Sequence, residues 1–465
     1  MKVVLAMPYS ETHYVVPSLG LGHLATALRK AGHTPQLLHS TKENIPLQAL
    51  PKFLRDENPE VVGFQVASCD LDATRRSTEL VRQVLPNALI LAGGAHPSGN
   101  PEDTLKSLPA VDFAFRGEAE ISLPAFLDDY RHGGRHYRQI PGLVWREDGA
   151  ILSTPPEFVE DLDALGHVAW DLIQPQTFPQ APHGAFFDRF PISPVLTTRG
   201  CPYGCTFCAA RTIAGRKIRK HSIQHVLNDI ETLYRDYGIR EIHIIDDTFT
   251  QFPDRVKEFA DGMEDFRRRG MKLSVGFPNG IRLNTVTVEL LKDLKRAGVY
   301  STLVGIESGS QRILDAMKKG LTLELVRERV RLIKQAGLTV NAFFIVGFPG
   351  ETEADIKATI RFARSLPLDG ALFSSFLPLP GAEITNQLIA DGELAHDFYW
   401  GDLFYSRVTY SPKGVAPERL KSLQRWGTLS FYMRPRILAQ MPFRIKSWFH
   451  LRILARKFWD NLFLR

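Results

Sequence analysis

The chain has 465 residues, 44% of them hydrophobic and 23% charged, with a formal net charge of +6. That length exceeds one ordinary core, so two domains plus an extension are expected, and the composition is that of a globular chain. Four cysteines exclude a disulfide scaffold, and no run approaches the eighteen uninterrupted apolar residues of a spanning helix.

Charge is placed unevenly. Residues 434–465 hold eight basic side chains against Asp460, so the rest of the chain is close to neutral and a general nucleic-acid surface is not expected. The start, MKVVLAMPYS, lacks the apolar core and cleavage site of a secretory signal, which points to a cytoplasmic location.

Up to about Tyr130, short apolar runs alternate with amphipathic ones. KVVLAM (Lys2 to Met7) precedes a helical pattern from Leu21 to Ala31, and PEVVGFQV precedes one from Leu71 to Leu85. ALILAGG then leads into Glu102 to Leu108, and VDFAFRGEAE into Leu123 to Tyr130. This alternation predicts an α/β, doubly wound, Rossmann-like domain over residues 1–138, with helices on both faces of a parallel sheet. Ligands of such sheets bind beyond the strand C-termini. The turns there carry Gly20 and Gly22 (PSLGLGH), Ser68 and Cys69 (SCD), Gly93, Gly94 and His96 (GGAHP), and Gly117 and Glu118 (RGEAE). No GxGxxG follows the first strand, which weighs against a dinucleotide.

Residues 139–193 are Pro-rich and read as a linker with a small hairpin in GLVWREDGAIL. From Val195 the rhythm resumes: VLTT, EIHIID, KLSVGF, STLVGIE, TVNAFFIVGF and GALFSSF are expected strands, with helical patterns between them. Six such units predict a partial β/α barrel over 194–380, whose chemistry gathers at the strand C-termini. Residues 381–465 read as a mainly helical extension. In its last part Met441, Ile445, Trp448, Leu451, Leu454, Phe458 and Leu462 recur every three or four residues, with Arg444, Arg452, Arg456 and Lys457 between them. That is a basic amphipathic helix, open to two uses: a cap on the barrel with its basic side solvated, or peripheral contact with an anionic membrane.

RGCPYGCTFCAAR, in the loop after the first barrel strand, holds Cys201, Cys205 and Cys208. Gly200, Pro202 and Gly204 supply the turns that let three thiolates converge on a metal. A structural zinc site wants four protein ligands, yet no second CxxC pair is present, Cys69 lies in the other domain and His221 is distant from the loop in sequence. A [4Fe-4S] cluster held by three cysteines leaves one iron open to an exogenous ligand.

At these residues the chain resembles the radical S-adenosylmethionine (SAM) enzymes, whose signature is CxxxCxxC with an aromatic before the last cysteine; Phe207 fills that position. The resemblance implies that the open iron binds SAM, which is cleaved to a 5'-deoxyadenosyl radical. It extends through IIDDTFT (Asp246, Asp247 and Thr248, toward the methionine amino group), GIESGS (Glu307 and Ser308, toward the ribose or methionine end) and FFIVGFPGET (Gly347, beside adenine). Arg282, in GFPNGIR, is a candidate cation for the methionine carboxylate. Taken singly, the two aspartates could equally be helix N-caps, and Glu307 a surface carboxylate.

The front domain resembles the cobalamin-binding domain of the cobalamin-dependent radical SAM class, which includes carbon methyltransferases and the anaerobic oxidative cyclase of chlorophyll biosynthesis. The DxHxxG motif that supplies a histidine to cobalt is absent, so cobalt's lower face is expected to meet the loop around Ser68, Cys69 and Asp70. His96 either faces the cofactor or satisfies backbone groups. The resemblance thus implies a radical SAM enzyme that uses cobalamin to methylate an unactivated carbon of a small biosynthetic intermediate, with flavodoxin or ferredoxin as electron donor. A hydrophobic intermediate would suit a tail that meets a membrane. A radical cyclase and an iron-sulfur electron-transfer protein are the alternatives. Phe376, Tyr399, Trp400, Phe404 and Tyr405 follow the last barrel strand and suit either a substrate pocket or the core.

Overall fold

A computed structural model describes residues 1–10, 15–180, 187–404 and 407–463. In the front half, β1 (Lys2–Met7), β2 (Thr34–His39), β3 (Val61–Gln65), β4 (Leu89–Gly93) and β5 (Phe113–Phe115) pair in parallel. The sheet order is β2-β1-β3-β4-β5, continued by β6 (Leu143–Glu147) and β7 (Ala150–Ser153). Val3, Val4, Val61 and Ile90 are buried because helices cover both faces, which is why these strands read as unbroken apolar runs. The chain leaves β1 for β2 and returns to β3 on the other side, so a crevice opens at the C-termini of β1 and β3. The helix Leu19–Lys30 starts beside that crevice, capped by Ser18, whose Oγ accepts from Leu21 N.

The hairpin expected in the linker is instead the edge of the front sheet. β6 pairs antiparallel with β5 through Ala114↔Val144 and Phe115↔Leu143, and Leu143, Val144 and Trp145 are buried there. Burying those three side chains completes the front core, which no isolated hairpin could do. Past the hairpin the chain becomes a strap: Thr26 Oγ1 donates to His167 O (2.7 Å), Lys30 Nζ to Leu165 O (2.9 Å), and Arg29 pairs with Asp171 (2.6 Å). A Cβ on Gly22 would collide with Val168 and Ile173, so this glycine serves the contact between helix and strap.

The second half is an open six-stranded parallel sheet. β8 (Ile192–Val195) stands at one edge, followed in space by β11 (Glu241–Ile244), β12 (Ser274–Ile281), β13 (Val299–Glu307), β14 (Thr339–Val346) and β15 (Gly370–Ser375). The expected six βα units are present, although the first strand begins at Ile192 and ends at Val195, earlier than VLTT suggests. The next residues turn, because Thr197 and Thr198 bond to Asp246 at the end of β11. A two-residue ladder, β9 (Thr198–Arg199) with β10 (Arg219–Lys220), then encloses the cysteine loop.

The C-terminal extension packs on both ends of the barrel. The helix Pro417–Tyr432 covers β15, where the buried Gln424 donates from Nε2 to Phe373 O (2.9 Å). The helix Trp448–Phe463 docks near the start of β8, with Ile453 against Phe187 and Ile192 and the His450 ring 4.8 Å from that of Phe187. Among the described residues no helix is long and apolar enough to cross a membrane.

Candidate functional site

Gly200 opens the cysteine loop with φ +95°, and a Cβ there would run into the Lys217 carbonyl, so only glycine lets the loop leave the ladder at this point. Cys201 N donates to Gly215 O (3.2 Å), Thr206 N to Met317 O (3.0 Å) and Cys208 N to Cys205 O (3.2 Å). These bonds curl Cys201, Cys205 and Cys208 until their sulfurs feel one another's charge, and none of the three is in a disulfide. Burial pushes the Cys201 and Cys208 thiols up, which a bound cationic iron centre would reverse. Three half-buried sulfurs on one loop, with Cys69 remote in the front domain, fit a [4Fe-4S] cluster whose fourth iron takes an outside ligand.

Around this loop the motif residues divide by role. The Arg282 guanidinium lies 3.4 Å from the Tyr203 ring, donates to Lys319 O (2.5 Å) and approaches Cys205 Sγ (3.9 Å). Glu307, at φ +70° on a bulge of β13, accepts from Lys319 Nζ (2.7 Å), and that ammonium sits 5.7 Å from the Phe207 ring. Arg282, Glu307, Lys319 and Phe207 therefore share one wall with the cysteines; Lys319 was not singled out by sequence.

Asp246 points elsewhere. Its buried carboxylate accepts from Thr197 N, Thr197 Oγ1 and Thr198 Oγ1 (2.6, 2.6 and 2.9 Å), bracing the turn before the cysteine loop, and burial raises its pKa to about 6. Asp247 is exposed on the cavity side, and Thr248 Oγ1 donates to Gly200 O (3.3 Å). Ser308 is buried against Thr359 (3.1 Å). Gly347, at φ +81°, packs on Leu420 and donates its N–H to Glu351 Oε2 (2.6 Å), as does Phe348 (3.1 Å). Glu351, a residue sequence reasoning missed, has its other oxygen buried without a partner among the described residues, and burial raises its pKa to about 8.

Between the two halves lies a cavity of about 430 Å³. Gly20, Gly93, Gly94, Gly117 and Glu118 line it from the front sheet, with Arg199, Gly200 and Asp247 opposite. Its wall is largely apolar, including Leu5, Phe64, Leu91 and Phe115, and exposed glycine backbone at two strand ends gives a flat cofactor close approach. These features fit a cobalamin corrin ring. Gly22, Ser68, Cys69 and His96 do not reach the cavity. The His96 ring is fully buried and bonded at both nitrogens, to Ser68 Oγ and Asp103 Oδ2 (2.9 Å each). The Ser68–Asp70 turn packs against Trp400–Asp402 of the C-terminal extension, contacts that local sequence cannot show. Gln65, held by Ser18 Oγ (2.6 Å), and His23 stand in the cavity wall instead. Burial, then the charge of Arg199, depresses His23 to about 3. Of the aromatic residues after β15, Phe376 and Trp400 belong to the core, Tyr399 is exposed, and Tyr405 lies outside the described residues.

The two halves are joined at this cavity by buried charge. Arg199 pairs with Glu120 (2.8 Å) and Glu118 (3.5 Å), and Arg219 grips Glu118 with both terminal nitrogens (2.7 Å each). All four side chains are less than a tenth exposed.

Comparison with known proteins agrees with this geometry. Residues 195–363 match the radical SAM superfamily, and residues 9–127 match the B12 binding domain family. An uncharacterized methyltransferase of Pyrococcus horikoshii is 30% identical over 445 residues, covering 94% of each chain. The anaerobic magnesium-protoporphyrin IX monomethyl ester cyclase of Cereibacter sphaeroides is 27% identical over 80% of this chain and 60% of its own. Among solved structures, the radical S-adenosylmethionine methyltransferase TsrM of Kitasatospora setae, with cobalamin and a [4Fe-4S] cluster bound, superposes with a TM-score of 0.69 at 19% identity over 90% of this chain and 84% of its own.

Glu118→Gln leaves Arg219 buried without its anion and should lower stability by about 3–5 kcal/mol in urea denaturation, whereas the paired change Glu118→Gln with Arg219→Met should cost less than the single one. Glu351 is held neutral by the fold, so its contribution to stability falls as pH rises from about 4.5 to about 8 and is level above that. Denaturation midpoints measured across that window should shift in favour of Glu351→Gln relative to the parent chain.

Proposed function

Because this chain belongs to the radical SAM superfamily, in the group that carries a B12 binding domain, we propose that it methylates an unactivated carbon of a small molecule. The observation that carries the reading is the shared cavity: glycine turns of the front sheet form one side, and Gly200 and Asp247, beside the cysteine loop, form the other. When bound, the cluster and SAM supply a radical that removes hydrogen from carbon, and cobalamin supplies the methyl group.

The chain's own residues hold and orient. Cys201, Cys205 and Cys208 are the cluster ligands, and Arg282 and the Lys319–Glu307 pair present fixed charges beside them for the polar end of SAM. Leu5, Phe64 and Phe115 keep the cobalamin side apolar, which excludes water from a reactive centre. Methyl transfer is favoured over ring closure because the Pyrococcus methyltransferase is matched almost end to end, while the cyclase has a large part with no counterpart here.

Two finer readings accompany it. The electron comes from a flavodoxin or ferredoxin. The tail contacts an anionic membrane surface, supported by Phe443, Trp448 and Trp459, which are 85%, 79% and 62% exposed, with Arg444, Arg452 and Arg456 nearby in sequence. The single amphipathic helix expected here is two, Pro435–Arg444, which carries Phe443 and Arg444, and Trp448–Phe463, whose Ile453 docks on the barrel while Trp448 and Trp459 stay exposed. The side chains of Met441, Lys457, Phe458 and Leu462 lie outside the described ones.

Anaerobic reconstitution with iron, sulfide and cobalamin should give a protein that binds cobalamin and converts SAM to both 5'-deoxyadenosine and S-adenosylhomocysteine, with both products lost in Cys205→Ala. Deoxyadenosine formed by a protein that takes up no cobalamin would overturn methyl transfer and leave radical cleavage standing. In flotation with anionic liposomes the full chain should rise with the lipid and the double variant Phe443→Ala, Trp448→Ala should not; equal flotation of both would overturn the membrane reading.

A further inference from the structure

Away from the cofactor cavity, two sequence stretches place ligand-type side chains every four residues. On the helix Ile223–Asp236 and the residue before its cap, His221, His225 and Asp229 fall on one face. On the strap that crosses them, Asp163 and His167 are also four apart. Folding brings the two sets together. The His167 and His225 rings stack at 4.1 Å, His225 and His221 at 4.5 Å, and His221 and His23 at 6.0 Å, so a ladder of imidazoles runs from the surface to the cavity wall.

Two triads in this ladder have ligand atoms within 4.8 Å of one another: Asp163 with His221 and His225, and His167 with His225 and Asp229. In the first, the Asp163 carboxylate is already engaged, accepting from His221 Nδ1 (3.0 Å) and from Ser222 N (3.0 Å) as a helix cap. In the second, Asp229 Oδ1 likewise accepts from His167 Nδ1 (2.9 Å) and Trp170 Nε1 (3.1 Å), but one ligand-type nitrogen is left over. His225 Nε2 is buried, has no hydrogen-bond partner among the described residues, and points toward Asp229 Oδ2 at 3.8 Å. The His225 side chain is nine-tenths buried, whereas His167 is 51% exposed.

We propose that His167, His225 and Asp229 bind one first-row divalent cation, zinc being the best match to their nitrogen and oxygen donors. Ligands about 2.0–2.1 Å from a tetrahedral ion stand roughly 3.3 Å apart. His167 Nδ1 stands 2.9 Å from Asp229 Oδ1 and His225 Nε2 3.8 Å from Asp229 Oδ2, and one donor atom from each of the three residues lies within 4.8 Å of the others, so small side-chain shifts reach that spacing. Trp170 Nε1 donates to Asp229 Oδ1 (3.1 Å) and orients the carboxylate, while the Asp163 carboxylate lies behind the His225 ring, 3.6 Å from Nδ1 and within a small shift of accepting its N–H. A carboxylate behind a metal-bound imidazole is the usual outer support of such sites. Water completes the coordination from the exposed side of His167. The ion would clamp the strap onto the barrel helix, and through the bond from Thr26 to His167 O it would steady the helix Leu19–Lys30, which contributes Gly20 and His23 to the cavity. This site is independent of the methyl-transfer reading.

The test uses full-length protein with its iron-sulfur cluster reconstituted, so that the three cysteines are occupied. After equilibrium dialysis against buffered free zinc, mass spectrometry of the metal should find about one zinc per chain beyond any bound by a His167→Gln, Asp229→Asn control, and zinc should raise the thermal midpoint. His167→Gln alters a half-exposed side chain and leaves the Trp170–Asp229 bond in place; it should weaken zinc at least about tenfold with an unchanged circular dichroism spectrum. Equal zinc affinity in His167→Gln and the parent chain, or no zinc taken up by the parent, would overturn the proposal.

Discussion

Four buried charges hold the two halves of this chain in register. Arg199 heads the cysteine loop and pairs with Glu118 and Glu120 of a front-domain turn, while Arg219, its ladder neighbour, closes on Glu118 from the other side. Taking these groups out of water is costly, and a partner of opposite charge at short range offsets it only when the geometry is met. The cluster therefore tolerates few relative positions of the two domains. Since Arg199 is two residues from Cys201, and Glu118 follows a cavity-lining glycine, fixing this contact also fixes the cysteine loop relative to the cavity.

The strap reinforces the same arrangement from the far side of the front helix. Gly22 allows Val168 and Ile173 to approach, Thr26 and Lys30 bond to its carbonyls, and its histidine and aspartate side chains meet the barrel helix. A segment rich in proline reads locally as a spacer, but here the carbonyls of Ala164, Leu165 and His167 and the amide of Ala169 bond to the helix Leu19–Lys30, which is what distinguishes a strap from a linker. The hairpin before it is likewise drawn into the front sheet, where pairing with β5 buries Leu143, Val144 and Trp145.

Adjacent residues of one motif can do different work. Asp246 is spent on the turn that precedes the cysteine loop and Asp247 faces the cavity, though the two are neighbours at a strand end where side chains alternate in direction. Glu351 lies in the motif around Gly347 and holds that turn through two backbone amides. Lys319 follows the short helix Gln311–Ala316 after β13 and pairs with Glu307 beside the cysteine loop. Glu351 acts within its own motif, three and four residues from the amides it holds, whereas Lys319 is defined by what it reaches, Glu307 and the Phe207 ring of the cysteine loop.

Strand and helix order, the six barrel units and the three-cysteine loop were legible in the chain itself, because apolar periodicity and cysteine spacing are local properties that survive any arrangement of the parts. Gly20, Gly93, Gly94 and Gly117 could be placed on the cofactor side for the same reason, as turns after parallel strands. Which neighbours of those turns face the cavity was decided only in three dimensions. His96 and Ser68 satisfy each other, and the Ser68–Asp70 turn is covered by residues more than three hundred positions later, while Gln65 and His23 take the wall. The imidazole ladder shows the same limit: spacing by four put His221, His225 and Asp229 on one helix face, but only the packing of the strap supplied His167. Side-chain direction at a turn, and the partner that meets it, depend on contacts between distant segments, and those contacts exist only once the chain has folded.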